Sequence, residues 1–378
     1  MTVNKMFYFV FFLIIFSISF YAFYRGLQLM PQILSVKIIY SVVYFLSAAA
    51  FILRMIFGDT INLNLSYALS VVGFTWFVVV SWALILILFI DITRIINYFT
   101  HIYPTFIKEN PAEVKRIILY GFSAVVVISL IAGNYKFNHP YVVEIEVEAK
   151  NSNLGKSMKI VMASDLHLSS YIGQRDMKRF VELINKQEPD LVLFGGDIAD
   201  RNLEPIVKLG LGDYFKQLKS KYGTFAVSGN HEFYGGSRDK IFEYLTNNGV
   251  TILTDRVVML DSSVYLIGRE DRTNQSQRKP LKSIVDSLDN GKPIIVLDHQ
   301  PYNLNEAAQN GVTLQLSGHT HLGQFWPGTM IVKWMYELPH GFLKKGNTNF
   351  YVSSGLGIWG PKIRLGSNSE IVVINLLY

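Results

Sequence analysis

The chain has 378 residues, of which 50% are hydrophobic and 17% are charged, and its net charge is +6. A soluble globular protein usually carries about 25% charged residues, so part of this chain is expected to lie in lipid. The absence of cysteine excludes disulfides, thiolate metal sites and a cysteine nucleophile. Because the basic residues form no continuous run, no nucleic-acid partner is expected, and no protein partner is inferred.

Residues 1–138 are predicted to form a transmembrane domain. They contain four apolar stretches near the length of about 20 residues that a helix needs to cross a bilayer. These predicted spans cover approximately residues 6–24, 36–57, 66–90 and 117–135. The first could instead be a signal peptide, but it exceeds the usual apolar region of about 7–15 residues. No charge lies at mid-depth, so the helices are expected to anchor the chain among membrane lipids rather than to transport ions.

The loop charges predict an orientation. The connections after the first and third spans carry six basic residues, which are Arg25, Lys37, Arg94, Lys108, Lys115 and Arg116. The opposite side has three, Lys5, Arg54 and Lys136. Because cytoplasmic loops carry the excess of Lys and Arg, the first set is expected in the cytoplasm. The chain is thus expected to be a multi-pass protein of a bacterial-type inner or plasma membrane, with its catalytic domain outside the cytoplasm.

Residues 139–378 are predicted to form a separate α/β domain. Residues 141–149 alternate apolar and charged side chains, as a strand with one wet face does. Short apolar runs typical of buried strands follow at 159–163, 191–194, 224–227, 294–297 and 313–316. Apolar residues at helical spacing in 175–187 and 240–248 complete a strand, helix, strand rhythm.

Five polar motifs follow the ends of these strands. They are Asp165-Leu166-His167, Gly195-Gly196-Asp197, Gly229-Asn230-His231-Glu232, His299 and Gly318-His319-Thr320-His321. In α/β sheets ligands bind outside the carboxyl ends of strands, so these side chains are expected to converge. The glycines beside them let the backbone turn sharply and approach an ion closely.

These motifs offer the mixed oxygen and imidazole ligands that a pair of divalent cations needs. Two cations about 3.5–4 Å apart activate a water and neutralise the phosphoryl oxygens of a phosphoester. Asp197, alone in its glycine-rich turn, is the expected bridge between them. The mixture of nitrogen and oxygen suits Mn, Fe, Zn or Co better than Ca.

His231 is the remaining histidine of the cluster, next to Asn230 but not needed as a ligand. We expect it to protonate the leaving alkoxide, a role that suits a pKa near neutrality. The alternative role is that of a hydrogen-bond partner behind the ligands.

In order and type these motifs resemble the calcineurin-like metallophosphoesterase superfamily, over about residues 159–376. The resemblance implies a four-layer αββα sandwich, here preceded by the four-helix transmembrane region. It also implies two sets of metal ligands, one of Asp165, His167, Asp197 and His321 and the other of Asp197, Asn230, His299 and His319. It places His231 near the leaving group.

The last motifs resemble one branch of that superfamily, the YkuE- and YaeI-like membrane-associated phosphodiesterases and the transmembrane metallophosphoesterases. The similarity is carried by Gly323-Gln324 after the last ligand and by Ser354-Gly355-Leu356-Gly357 near the end of the chain. Leu322 replaces a glycine common in that branch. Because some relatives of the branch hydrolyse UDP-diacylglucosamine, the resemblance suggests a lipid-linked head group as substrate.

The aromatic residues after the last ligands have two interpretations. Trp326, Trp334 and Trp359 belong either to the core or to a lipid-facing rim that accepts an acyl chain. In the second case Lys362 and Arg364 would contact phosphate.

The sequence therefore predicts a membrane-anchored, dinuclear metal-dependent phosphoesterase. Its expected reaction is hydrolysis of a phosphodiester or pyrophosphate bond, most concretely in a lipid or lipid-linked head group. A phosphomonoesterase or protein phosphatase is the alternative among enzymes. A catalytically inactive membrane sensor is the alternative from another class.

Overall fold

The computed structural model describes residues 2–58, 60–149, 155–289 and 291–378, with side chains from residue 16 onward. The chain forms two compact units, Met1–Ile131 and Ala132–Tyr378. The division falls inside the last apolar helix, slightly before the predicted domain boundary at residue 138. The two ends of that helix therefore belong to different units.

The first unit is helical. Its helices are α1 (Thr2–Leu29), α2 (Leu34–Phe57), α3 (Leu63–Thr100), α4 (Thr105–Glu109) and most of α5 (Pro111–Asn138). In the described part of the chain, α2, α3 and α5 are long and apolar enough to cross a membrane, which is three spans rather than the four predicted. The remaining predicted span, residues 6–24, lies within α1, where the side chains before residue 16 are outside the described ones.

The second unit is an α/β structure. Its strands are β1 (Tyr141–Glu148), β2 (Ser157–Ala163), β3 (Leu191–Phe194), β4 (Thr224–Ala226), β5 (Val250–Ile252), β6 (Arg256–Leu260), β7 (Val264–Gly268), β8 (Ile294–Leu297), β9 (Leu314–Ser317), β10 (Gly341–Lys345), β11 (Thr348–Val352) and β12 (Glu370–Leu377). Its helices are α6 (Gln174–Asn185), α7 (Glu204–Lys208), α8 (Gly212–Phe215), α9 (His231–Tyr234), α10 (Arg238–Asn247), α11 (Leu281–Val285), α12 (Leu304–Gln309) and α13 (Gly328–Met335).

Among the described residues the strands form two six-stranded sheets. The first has the order β1-β12-β2-β3-β4-β5 and the second the order β10-β11-β9-β8-β7-β6. Strands β2, β3 and β4 are parallel neighbours in the first sheet, and β8 and β9 are parallel neighbours in the second. Their carboxyl ends are the positions from which a shared site can be built.

The hydrophobic side chains fill three layers of this unit. One core packs side chains of both sheets against each other, among them Ile160 and Leu193 from the first sheet and Leu297 and Leu316 from the second. A second core lies between the first sheet and α6, and a third packs α11 and α12 on the other sheet. This arrangement is the predicted αββα sandwich.

The predicted elements are confirmed where their apolar pattern is strong. Each of the six predicted strands corresponds to an observed one, and the helices predicted at 175–187 and 240–248 correspond to α6 and α10. The short strand β5, the hairpins β6–β7 and β10–β11 and the long strand β12 were not predicted. In β12 the residues Glu370–Leu377 are buried almost throughout because the strand lies inside the first sheet, so no alternation of exposure marks it.

Candidate metal centre

The predicted ligands all follow strand ends within four residues. Asp165 and His167 follow β2, Asp197 follows β3 and Asn230 follows β4 in the first sheet. In the second sheet His299 follows β8, and His319 and His321 follow β9. The loops are bonded to one another, since the Asp165 carboxylate of the first sheet accepts hydrogen bonds at 3.0 and 3.1 Å from the backbone N–H of His319.

The backbone at these residues is unusual. Five of the seven predicted ligands adopt a positive φ, which for residues other than glycine occurs only in a few per cent of cases. They are Asp165 (57°), His167 (50°), Asp197 (51°), His319 (73°) and His321 (47°). Such backbone strain concentrates at functional sites, where the surrounding structure holds it in place. Leu322, which stands where the resembling branch has glycine, also has a positive φ of 47°.

The first group of potential ligands comprises Asp165, His167 and His321, all buried. The Nε2 atoms of His167 and His321 lie 3.0 Å apart. The Nε2 of His321 lies 3.5 Å from Oδ1 of Asp165. Burial and the charges of His167 and Arg364 hold the pKa of His321 well below its usual value. A neutral imidazole is the form that binds a metal.

The second group comprises Asp197, His299 and His319. The Nε2 of His299 lies 3.2 Å from Oδ2 of Asp197 and 3.2 Å from Oδ1 of Asn230, so the amide oxygen of Asn230 joins this group. The Nδ1 of His299 lies 2.7 Å from the carbonyl oxygen of Gly195. A donated hydrogen bond there leaves Nε2 to face the carboxylate and the amide oxygen, as in metal-ligating histidines.

Burial and the charge of His299 lower the pKa of His319 to about 3, so this imidazole is neutral. Burial opposes the charged form of His299, but Asp197 raises its pKa well above the usual value. A divalent cation between Asp197 and His299 would replace that proton, because ligating imidazoles are neutral. The donor set of both groups therefore fits divalent cations.

Asp197 lies between the two groups. Its Oδ2 atom is 3.2 Å from Nε2 of His299 in the second group and 3.9 Å from Nε2 of His167 in the first. Its Oδ1 accepts a hydrogen bond of 2.9 Å from the backbone N–H of His231. Burial would raise the pKa of Asp197, but His299 and the neighbouring histidines hold it well below its usual value. The position expected for the bridge is thus taken by an ionised carboxylate.

Two glycines are required by the close packing around these carboxylates. A side chain on Gly229 would place its Cβ 2.1 Å from Oδ1 of Asp197. On Gly318 it would lie 2.4 Å from Oδ2 of Asp165. Neither distance leaves room for a carbon atom, so the motif glycines keep space for the ligands.

His231 lies at the edge of the cluster, and its side chain is 19% exposed. Its Nδ1 is 2.7 Å from the carbonyl oxygen of Asp200. Burial lowers its pKa, but the hydrogen bond to Asp200 and the charges of Asp197 and Asp200 prevail and raise it to about 9. These contacts favour the protonated imidazole.

The structure gives roles to two carboxylates, Asp200 and Glu232, for which the sequence predicted none. Oδ1 of Asp200 lies 3.4 Å from Nδ1 of both His167 and His231, so one carboxylate orients a potential ligand and the potential acid. Its spacing of three residues from Asp197, in Gly-Asp-Ile-Ala-Asp, was the available indication. Burial favours its neutral form, but the neighbouring His167 and His231 keep its pKa below the usual value.

Glu232 is the second addition. Its buried carboxylate accepts hydrogen bonds from the backbone N–H groups of Gly229 at 2.7 Å, Ala199 at 2.9 Å and Asp197 at 3.2 Å. It thereby ties the loop after β3 to the loop after β4. Burial and the charge of Asp197 raise the pKa of Glu232 to about 7.

Lys362 and Arg364 have contacts other than the predicted one with phosphate. The Nζ of Lys362 pairs with Oδ2 of Asp176 at 2.8 Å. Arg364 is fully buried, and its guanidinium donates to the carbonyl oxygens of Ser354 at 2.6 Å and of Gly355 at 3.0 Å. Both cations therefore hold the protein's own loops, and their contact with phosphate stays a prediction.

The three tryptophans are exposed rather than part of the core. The exposed fraction is 87% for Trp334 and close to 44% for Trp326 and Trp359. Met330, Ile331 and Met335 on α13 are also more than half exposed. This favours the surface interpretation of the aromatic residues over the core interpretation.

Comparisons with known proteins agree with the geometry. Residues 158–323 match the family model described as calcineurin-like phosphoesterase. A protein of Helicobacter pylori named as an uncharacterized metallophosphoesterase is 33% identical, over 72% of this chain and 74% of that protein. The Bacillus subtilis protein named as metallophosphoesterase YkuE is 28% identical, over 69% of this chain and 97% of that protein.

A third relative, from Danio rerio, is named as a transmembrane protein with a metallophosphoesterase domain. It is 30% identical, over 62% of this chain and 56% of the zebrafish protein. The chain also spans less than two thirds of the length of a second Helicobacter pylori relative, 61%. The two clustered ligand groups and these matches lead to one conclusion: the chain belongs to the calcineurin-like metallophosphoesterases, a family of metal-dependent phosphoesterases.

Proposed function

We propose that this protein is a membrane-anchored phosphoesterase that uses two divalent cations to hydrolyse a phosphodiester or pyrophosphate bond. The position of Asp197 carries the proposal, because one carboxylate oxygen lies within 4 Å of a histidine from each ligand group. A bridging carboxylate is what holds two cations close enough to act on one phosphorus centre.

We assign one cation to Asp165, His167, Asp197 and His321 and the other to Asp197, Asn230, His299 and His319. The nitrogen and oxygen donors favour ions of the Mn, Fe, Zn or Co type. When bound, such a pair lowers the pKa of a water and neutralises charge on the phosphoryl oxygens. Asn230 is a neutral ligand and so limits the negative charge around the cations. The cations can then still neutralise the charge on the phosphoryl oxygens.

The chain itself supplies the proton for the leaving group. With Nδ1 of His231 directed at the carbonyl oxygen of Asp200, the proton on Nε2 is free to be transferred. Burial opposes the charged form of His231, but the hydrogen bond to Asp200 raises its pKa and so favours the imidazole that carries this proton. Transfer to the departing alkoxide removes the charge that would otherwise slow bond cleavage.

A lipid or lipid-linked head group is the substrate class that we favour. The exposed apolar side chains of α13 begin at Met330, nine residues after His321, and include Trp334. The turn that precedes α13 is bonded to the loop that carries Trp359, since Nε2 of Gln324 donates to the Trp359 carbonyl oxygen at 3.1 Å. An apolar surface beside polar ligands suits a substrate with an acyl chain and a phosphorylated head.

The same loop is attached to the end of α5 that belongs to the second unit. The backbone N–H of Arg364 donates to the carbonyl oxygen of Gly133 at 3.0 Å, and Nδ2 of Asn134 donates to that of Lys362 at 3.2 Å. These contacts tie that loop to α5, a helix apolar enough to cross a membrane.

The localisation that we propose is a bacterial inner or plasma membrane, with the second unit outside the cytoplasm. The six basic residues of the two connections support this orientation. Because the chain lacks cysteine, a single cysteine introduced at the exposed Lys282 reports the orientation directly. Labelling of intact cells by a membrane-impermeant maleimide is expected; labelling only after lysis would place the unit in the cytoplasm.

The reaction is tested with the full chain in detergent, loaded with Mn. We expect turnover of bis-p-nitrophenyl phosphate to exceed that of p-nitrophenyl phosphate, and Asp197→Ala to remove it. Turnover of the monoester alone would indicate the phosphomonoesterase or protein phosphatase. Bound metal without turnover of either ester would indicate a sensor.

A further inference from the structure

Four basic residues of the first unit line one cavity of about 630 Å³. They are Arg25 near the end of α1, Lys37 near the start of α2, Arg94 near the end of α3 and Lys115 near the start of α5. The connections after α1 and α3 bring these helix ends to the same side of the helical unit. The volume lies within the range of small-molecule sites, about 300–1,000 Å³.

The positive charges around this cavity are only partly neutralised. In the part of the chain that the structure describes, Asp91 is the carboxylate within ion-pair distance of these side chains, and it pairs with Arg25 and, at 3.4 Å, with Arg94. Lys37 donates to the amide oxygen of Gln32 at 2.6 Å, which carries no charge. Four cations against one anion leave an excess positive charge that an anionic ligand would balance.

The remaining walls of the cavity are mostly apolar. Along α3 its lining runs from Ile90 to Trp76, a length of about 20 Å at the rise of an α-helix. A second apolar groove of about 430 Å³ shares Leu86, Ile118 and Phe122 with the first. The cavity and the groove thus offer a positively charged end and two adjoining apolar channels. This arrangement matches an amphiphile that has one anionic head and two chains.

We propose that this cavity is a binding site for an anionic phospholipid. Its phosphate lies among Arg25, Lys37, Arg94 and Lys115, and its acyl chains lie along α3 and α5. Basic side chains at the ends of membrane helices attract anionic head groups, each contributing about 1 kcal/mol. The site uses none of the residues of the metal centre, so its occupant is a bound membrane lipid and not the hydrolysed substrate.

The test measures lipid binding to the full chain in neutral detergent by native mass spectrometry. Phosphatidylglycerol and phosphatidylcholine with identical acyl chains are compared, together with inorganic phosphate. We expect retention of one phosphatidylglycerol, weak retention of phosphatidylcholine and none of phosphate. In the double variant Lys37→Gln, Lys115→Gln, phosphatidylglycerol should bind about 30-fold more weakly, as two lost contacts of this size imply.

The matched control is the double variant Lys108→Gln, Arg116→Gln, which loses the same charge from residues that do not line the cavity. It should bind phosphatidylglycerol as the parent does, and Lys37→Arg, Lys115→Arg should restore binding. Equal losses in both Gln variants, equal retention of the two lipids, or binding of phosphate without a lipid would each overturn the proposal. Turnover of bis-p-nitrophenyl phosphate should be unchanged in every variant, which separates this outcome from failure of the hydrolase assignment.

Discussion

The Nε2 atoms of His167 and His321 lie 3.0 Å apart although 154 residues separate them along the chain. His167 follows a strand of the first sheet and His321 a strand of the second. One ligand group is therefore assembled from both sheets, and its geometry depends on how they pack together.

Replacing the bridging residue should remove metal and activity together. In Asp197→Ala both ligand groups lose their common carboxylate, so we expect less than one metal ion per site. Turnover should fall by more than about 100-fold, because even the replacement of residues that only hydrogen-bond to metal ligands can lower activity by up to about 100-fold. Metal analysis and the rate with bis-p-nitrophenyl phosphate measure the two effects. Asp286→Asn, an exposed aspartate on the same domain, should leave both unchanged.

Replacing the proposed acid should have a different effect. His231→Ala should retain metal and lose about 10²- to 10⁴-fold in turnover, which is the usual contribution of a general acid. The loss should be largest for alkyl esters, whose leaving groups need the proton, and smallest for p-nitrophenyl esters. If His231→Ala loses as much metal as Asp197→Ala, then His231 is a ligand and not the acid.

Glu232→Gln should weaken the folded state of the second unit. A carboxamide has one acceptor oxygen and one NH₂ group, so at least one of the three backbone N–H groups now bound by Glu232 would face a donor. A buried donor left without a partner costs about 1–3 kcal/mol. Thermal unfolding should show this loss, whereas the exposed Glu182→Gln should show none.

The contacts of Glu370 predict that the folded second unit loses stability at acidic pH. Burial opposes its charged form, but the hydrogen bonds from His340 at 3.1 Å and from the Ser354 N–H at 2.9 Å hold its pKa below the usual value. The ionised form is thus favoured in the folded state. Its stabilisation is present above the ordinary glutamate pKa of about 4.3 and is lost as the pH falls through the lower folded value.

Glu370→Gln should therefore lower the melting temperature at neutral pH and flatten its decline between about pH 5 and pH 3, the window set by that ordinary pKa. Melting curves of the detergent-purified chain across this range measure both changes. A decline in the variant as steep as in the parent would mean that other carboxylates control the acid sensitivity.

The exposed face of α13 should matter only for membrane-bound substrates. The double variant Ile331→Glu, Trp334→Glu removes two large apolar side chains. It should slow hydrolysis of a p-nitrophenyl phosphodiester of dialkylglycerol in vesicles by at least about tenfold. The reason is that burial of one such side chain in an apolar environment contributes about 1.5–3 kcal/mol. Hydrolysis of bis-p-nitrophenyl phosphate in solution should be unchanged. Met259→Glu, at an apolar side chain on β6 that is 45% exposed, is the control; the same slowing there would disprove a specific role of α13.

The sequence predicted that the proposed ligands converge because each one follows an apolar strand within four residues. It did not predict the roles of Asp200 and Glu232, since those depend on which backbone N–H groups and imidazoles a carboxylate faces after folding. The sequence also did not predict the structural role of Arg364. The chain folds around this side chain, and its guanidinium donates to the backbone carbonyl groups of Ser354 and Gly355.

The alternation of strands and helices predicted the layers of the fold, but several individual strands were not predicted. Strand β12 was missed because both of its faces are covered, so its sequence lacks the period of two that marks a half-exposed strand. The positive φ angles at Asp165, Asp197 and His319 were also invisible, because no glycine at those positions indicated them.

Anomalous X-ray scattering from crystals of the Mn-loaded chain tests the assignment most directly. Two peaks are expected about 3.5–4 Å apart, with the Asp197 carboxylate in contact with both. A single peak, or two ions that Asp197 does not join, would contradict a shared dinuclear centre.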